Sequence, residues 1–294
     1  MLTRRRVALT AYAVALGVSS VRNGLPIARG PLLVWVVLAL VALCADRPRR
    51  LVRGLLVDWL PLFVVLIAYD VMRGAADELT ARAHVDPHLA FDRVVFGRPP
   101  TLWLQDALWS GTPRVYDYVA WVVYTSHFVV PLGVAVRLWD RSTAAFRRYV
   151  AALLSLTFAA FVTYVAYPAV PPWLASKQGH LAPTDRVVSD VFATTGLTKA
   201  GELVDTGTAL SNPVAALPSL HAAVPLLLTL LYWPAARRRW QRVLLASYPV
   251  VMAFVLVYGA EHYVFDILLG WAYAAVVVIT LRTVSARRGT VGEP

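Results

Sequence analysis

Long apolar runs broken by short charged clusters dominate the chain. They fall at about 7–24, 31–45, 55–72, 116–138, 149–170, 214–234, 243–260 and 263–281, each near the roughly 20 residues needed to cross a bilayer. The pattern predicts an all-α polytopic bundle of about eight transmembrane spans, the first two of them short. Two longer polar stretches, 73–115 and 171–213, interrupt it. Within the first, Leu104, Ala107 and Leu108 recur at helical spacing between Trp103 and Trp109. This predicts a short helix over Thr101 to Ser110, lying on the membrane surface or packed on the bundle.

Composition agrees with that reading. Of the 294 residues, 59% are hydrophobic and 15% charged, against roughly 25% charged in soluble domains. The net charge of +11 does not point to nucleic acid, because the basic residues are almost all arginines placed in short clusters between apolar runs. With the N-terminus in the cytoplasm, 18 of the 28 Lys and Arg residues face inward, from Arg4, Arg5 and Arg6 to Arg282, Arg287 and Arg288. The remainder are spread over the outer loops among Asp77, Glu78, Asp86, Asp92, Asp106, Asp185, Asp190, Glu202 and Asp205. Both chain ends are therefore expected inside and both long loops outside. Arg4 to Arg6 before an apolar stretch resemble a secretory leader, but no small-residue cleavage site precedes a soluble domain, so an uncleaved first span is expected. Cys44 stands alone, which leaves no disulfide within the chain and no CxxC metal or redox motif.

Ionisable groups in apolar spans need a partner or a function. His262 and Asp266, at the outer start of the last span, are four residues apart, so on a helix they share a face. The carboxylate can then accept one imidazole N–H and leave the other nitrogen as nucleophile or base; the same spacing also serves a purely structural pair. Pro218-Ser219-Leu220-His221 opens the sixth span. A helix N-terminus there offers amide N–H groups to an anion, with a hydroxyl from Ser219 and a titratable ring from His221; the plainer alternative is an ordinary Pro-Ser helix start. Between His221 and His262 the chain crosses the membrane twice, which returns both rings to one face. Tyr164 to Trp173, including Tyr167, either walls a headgroup pocket or anchors the span in the interface. His127, near mid-depth of the fourth span, either lines a cavity or bonds a neighbouring helix. Asp70 and Asp117 lie at outer span ends.

Pro218-Ser219-Leu220-His221 followed by Glu261-His262-Tyr263-Val264-Phe265-Asp266 resembles the second and third signature motifs of the type 2 phosphatidic acid phosphatase superfamily. Leucine within Pro-Ser-x-His, His-Tyr-x-x-Asp, Tyr167-Pro168 with Pro171-Pro172, and Gly97 to Gln105 are similar to the branch containing fungal inositol phosphorylceramide synthase and its bacterial relatives. The resemblance covers about residues 55–281, a six-span catalytic core, with 1–54 as two additional spans and 282–294 as a cytoplasmic tail. It implies metal-independent, cofactor-free phosphoryl transfer at the outer leaflet through a phosphohistidine. His262 would attack phosphorus, Asp266 would orient it, His221 would protonate the departing alcohol and then activate the acceptor, and Ser219 would hold phosphate oxygens. The family's Lys-x6-Arg-Pro motif is missing, and its Arg six residues before the nucleophile is Leu256 here. Lys177, Arg186, Lys199 and Arg98 are candidate replacement cations, Lys177 being nearest the proline-rich stretch.

These residues lead to an expected transfer of a phosphoryl headgroup, phosphatidylinositol-like, between two membrane lipids. Missing cations disfavour a dianionic monoester more than a monoanionic diester. Hydrolysis of a lipid phosphate or isoprenyl diphosphate by the same residues is the alternative, and a third is a non-enzymatic transporter or scaffold using His127, His221, His262 and Asp266 as a proton or ion path. The expected partners are lipids, with no nucleic acid; no motif names a protein partner.

Overall fold

The computed structural model describes residues 4–26, 29–74, 82–194 and 214–290. Its helices are α1 (Arg4–Asn23), α2 (Arg29–Leu43), α3 (Pro48–Gly54), α4 (Leu60–Gly74), α5 (His88–Phe96), α6 (Pro100–Leu108), α7 (Val115–Arg141), α8 (Thr143–Ala166), α9 (Pro172–Lys177), α10 (Val187–Thr194), α11 (Leu220–Tyr232), α12 (Arg239–Tyr258) and α13 (Val264–Thr290). The molecule is an all-α membrane bundle. Asp70 sits on α4, while Asp77, Glu78, Lys199, Glu202 and Asp205 lie outside the described residues.

Four helices among the described residues are long and apolar enough to span a membrane: Val115–Arg141, Thr143–Ala166, Arg239–Tyr258 and Val264–Val284. The third and sixth runs form shorter helices for local reasons. A π-helical turn over Leu55–Trp59 takes the first five residues of the third run and leaves α4 only 15 residues long. The sixth run becomes helical only at Leu220, because Ala216 is bonded to Ala169 through its backbone. The fifth ends at Ala166; Pro168 follows, and Ala169 and Val170 bond across to Val214 and His84 instead of continuing the helix. Gly30–Leu43 and Leu220–Ala235 are shorter apolar helices.

The chain divides into two compact units. The first comprises 1–75, 128–151 and 192–212. Trp59 is fully buried at its core, with Phe146 at 5.0 Å, Phe63 at 5.6 Å and Trp139 at 6.4 Å between ring centroids. Asp58 accepts from the Trp139 indole at 3.0 Å and from Arg147 at 2.9 Å. Arg5 and Arg50 both converge on Asp140.

The second unit comprises 76–127, 152–191 and 213–294 and contains both histidine motifs. Here α11 packs along both α12 and α13, α6 lies against α12, and α5 lies against α13. The short helix expected at Thr101 to Ser110 is α6, and it packs on the bundle. Its buried residues are Pro100, Thr101, Leu102 and Gln105, and Leu104 packs partly buried against Ala222, Met252 and Leu256. Gln105 is buried because its amide donates to the carbonyls of Asp185 and Tyr258, both at 2.8 Å, and accepts from Asp185 N–H at 3.0 Å. These bonds satisfy backbone groups that burial would otherwise leave unpaired.

Candidate active site

Ser219 begins the site. Its extended backbone makes it the N-cap of α11, and its Oγ accepts from Ala222 N–H at 3.2 Å. Its own N–H donates to the carbonyl of Asp266 at 3.0 Å, which ties the head of α11 to the first turn of α13. Gly270 allows this approach, since a Cβ there would lie 2.4 Å from the Ser219 carbonyl oxygen. Ser219 is fully buried, and the cap uses its oxygen as an acceptor, so the role expected for it toward phosphate falls to its O–H.

His221 follows in the first turn of α11. Its ring stacks on Tyr124 at 4.8 Å and 18°, lies 4.1 Å from the ring of His127, and stands 5.9 Å from the ring of His262. Tyr124 and His127 are three residues apart on α7 and so share a face.

His262 occupies the link between α12 and α13. The N–H groups of Glu261 and His262 both donate to Leu256 O, at 2.9 and 3.2 Å, which closes the end of α12. Ala260 takes φ of 59°, the left-handed conformation that reverses the chain here. At the head of α13, Asp266 Oδ2 accepts from Tyr263 N–H at 3.0 Å, the return half of a capping box. The His262 Nδ1 lies 3.4 Å from the same oxygen. Asp266 is fully buried and His262 only 7% exposed. The His262 Nδ1 has no hydrogen bond at this distance; a carboxylate accepts only, so a bond formed here would put the proton on Nδ1 and leave the lone pair on Nε2.

Other expected residues are placed as follows. Tyr164 donates to Pro218 O at 2.7 Å. Tyr167 stacks on His84 at 4.1 Å and donates to Asp86 O at 3.1 Å, so it fastens the two outer loops to each other. Lys177 lies over the Trp173 ring at 5.1 Å. Arg186 lies over that ring at 4.9 Å and holds Glu261 through two bonds of 2.7 and 3.0 Å. Arg98 pairs with Asp106 at 2.6 Å on the surface.

Two residues that sequence reasoning passed over complete the site, both from α5. Asp92 accepts from the N–H groups of Val264 and Phe265 at 3.1 and 3.3 Å, capping α13 from another helix. Burial pushes its carboxyl up to about 6, against the lowering effect of those two bonds. His88 is fully buried, stacks on Tyr263 at 4.8 Å, and brings Nδ1 to 3.5 Å from Asp266 Oδ1. Burial lowers its pKa, and the Asp266 charge opposes that only in part. The available signal was the spacing: His88-x-x-x-Asp92 repeats the spacing of His262-x-x-x-Asp266, but in a polar loop, where buried chemistry is not sought.

A histidine backed by a buried carboxylate, facing a second histidine at a helix N-terminus, suits attack on phosphorus with protonation of the leaving group. The chain belongs to the PAP2 superfamily, whose family model matches residues 89–280. Its fold and motifs thus define a membrane-embedded enzyme of the lipid phosphatase and phosphotransferase class. More particularly, it is similar to the phosphoinositol dihydroceramide synthase of Bacteroides thetaiotaomicron, with 26% identity over 257 residues covering 81% of this chain and 79% of the relative. No solved structure matches the chain.

Proposed function

We propose that this protein is a lipid phosphotransferase that takes the phosphoryl headgroup of a phosphatidylinositol-like phospholipid and passes it to a lipid alcohol of the ceramide class. The observation that carries the proposal is the pairing of two imidazole rings 5.9 Å apart, one of them backed by Asp266. The similarity to a phosphoinositol dihydroceramide synthase supports the choice of donor and acceptor.

In the first half-reaction His262 Nε2 attacks phosphorus, forming an N–P bond as the bond to the diacylglycerol oxygen breaks. His221 gives its proton to that oxygen, and Asp266 holds the Nδ1–H of the phosphorylated imidazole. In the second, His221 takes the proton of the acceptor hydroxyl, whose oxygen displaces His262 from phosphorus. The amides opening α11 and the Ser219 O–H face the phosphate oxygens. Ring contact with His221 makes His127 and Tyr124 positioning residues for the acid-base step. Lys177 and Tyr167 border the headgroup. Two of the candidate cations are already engaged, Arg186 by Glu261 and Arg98 by Asp106, which favours a monoanionic diester over a dianionic monoester. The arginine distribution supports a site on the non-cytoplasmic side with both termini in the cytoplasm, residues 55–281 forming the catalytic core.

The test is a lipid panel assayed with wild type beside His262→Ala, with products identified by mass spectrometry. The proposal expects a new phosphoryl-headgroup sphingolipid and free diacylglycerol from wild type only. Release of free phosphate or headgroup phosphate with no transferred product would establish hydrolysis instead, and equal turnover by His262→Ala would remove the mechanism.

A further inference from the structure

The geometry points to His88 as a second imidazole that fixes the Asp266 carboxylate, so that one buried carboxylate is shared by two histidines of which only His262 reacts. This inference rests on the role proposed above for His262.

The two oxygens of Asp266 face different partners. Oδ2 receives Tyr263 N–H at 3.0 Å and has the His262 Nδ1 at 3.4 Å. Oδ1 has no hydrogen bond within ordinary limits and faces the His88 Nδ1 at 3.5 Å. His88 is fully buried, and neither of its nitrogens has another hydrogen-bond partner. Unsatisfied buried donors and acceptors are costly, and closing the gap by a few tenths of an ångström would satisfy Oδ1 and His88 Nδ1 together, as active-site bonds commonly tighten when substrate binds. The tautomer follows from the acceptor-only carboxylate: bonds formed to it put the proton of both histidines on Nδ1. His88 faces Asp266 and Tyr263 and acts through that carboxylate, so it is a positioning residue.

Its effect runs through Asp266. Rotation of a carboxylate about its last side-chain torsion has broad, two-fold preferences, and the bond from Tyr263 N–H restrains one oxygen only. A donor on Oδ1 holds the plane that aims His262 and disperses part of the charge, so that the carboxylate stays ionised while His262 becomes cationic. Tyr263 stacks against one face of the His88 ring, and Asp86, His84 and His262 are the other titratable groups near it. Asp92, one turn further along α5, fastens that helix to the first amides of α13. The brace therefore grips α13 at two points.

Two variants separate hydrogen bonding from packing. His88→Phe keeps a ring on Tyr263 and removes the nitrogens, whereas His88→Asn removes the ring and retains a donor near the Nδ1 position. In headgroup transfer from phosphatidylinositol to ceramide, His88→Phe should lose roughly 10- to 100-fold in kcat with little change in KM, as for outer partners that orient a functional imidazole. His88→Asn should retain most activity. In an Asp266→Asn background, His88→Phe should have almost no further effect, since its action passes through the missing carboxylate. Wild-type kcat for His88→Phe, equal damage from both variants, or the same fold-loss in the Asp266→Asn background would each overturn the inference. If His88→Phe does not accumulate as folded protein, His88→Asn decides alone: a loss as large as that of Asp266→Asn overturns it. His262→Ala, run in parallel, keeps the two claims apart, because full activity there would remove the reading of His262 whatever His88 does.

Discussion

Gly270→Ala tests whether the close crossing of α11 and α13 sets the distance between the histidines. A methyl group at Gly270 would lie 2.4 Å from the carbonyl oxygen of Ser219, 3.2 Å from its carbon and 3.4 Å from its nitrogen. All three are backbone atoms, so no side chain can rotate away. Ordinary contact begins at 3.4 Å, and the head of α11 must therefore retreat by about 1 Å from α13. That movement stretches the 3.0 Å bond from Ser219 N–H to Asp266 O and carries His221, two residues on, away from His262. A misplacement of about 1 Å costs on the order of 10²-fold in rate, and forcing a methyl into a packed interior costs roughly 1–3 kcal/mol of stability. Headgroup-transfer kinetics and thermal unfolding in detergent measure both. Gly133→Ala is the control: it is also helical, a methyl there meets nothing within 4 Å, and it should keep wild-type activity with stability unchanged or raised by up to about 1 kcal/mol. Wild-type kcat for Gly270→Ala would refute the idea that this crossing spaces the catalytic rings.

Stability should report Asp92. Its folded pKa of about 6 lies above the usual 3.8, so the proton it holds stabilises the fold fully below about pH 4, and that stabilisation is lost as pH rises through about 6; Asp92→Asn should flatten the fall in unfolding temperature over that window, and an unchanged slope would contradict the assignment. Transfer by wild type should be bell-shaped in pH, because His262 must be neutral to attack while His221 must be protonated to release the alcohol; a flat profile would contradict these roles unless product release limits the rate. Gly54→Ala should destabilise the first unit by roughly 1–3 kcal/mol, since its methyl would collide with the buried Trp139 ring, with the loss read from thermal unfolding.

The bundle and the two motifs were legible because each rests on local pattern. Apolar runs mark spans, and His-x-x-x-Asp at a helix start places two side chains on one face wherever that helix packs. The packing partners were not legible in the same way. The spacing of Leu104, Ala107 and Leu108 marks α6 as a helix but not the burial of Gln105, whose amide satisfies the carbonyls of Asp185 and Tyr258, a demand set by distant backbone. Tyr167, readable as a pocket wall or an interfacial anchor, also clasps Asp86, since the outer loops bond to one another through His84, Ala169 and Ala215. His88 and Asp92 were overlooked for a different reason. They sit in a stretch whose charge density reads as solvated, and only the docking of α5 on α13 buries them. Helix bounds depart from the apolar runs where backbone geometry intervenes, at the π turn of Leu55–Trp59 and at the non-helical approach to Leu220.

The most direct measurement is a rapid acid-free quench of wild-type protein turning over phosphatidylinositol labelled at phosphorus, followed by peptide mass spectrometry. The account predicts an inositol-phosphoryl group on His262 that appears before product, transfers to added ceramide, and is absent from His262→Ala. Product formation with no label on the protein, or label on any other residue at the same rate, would contradict it.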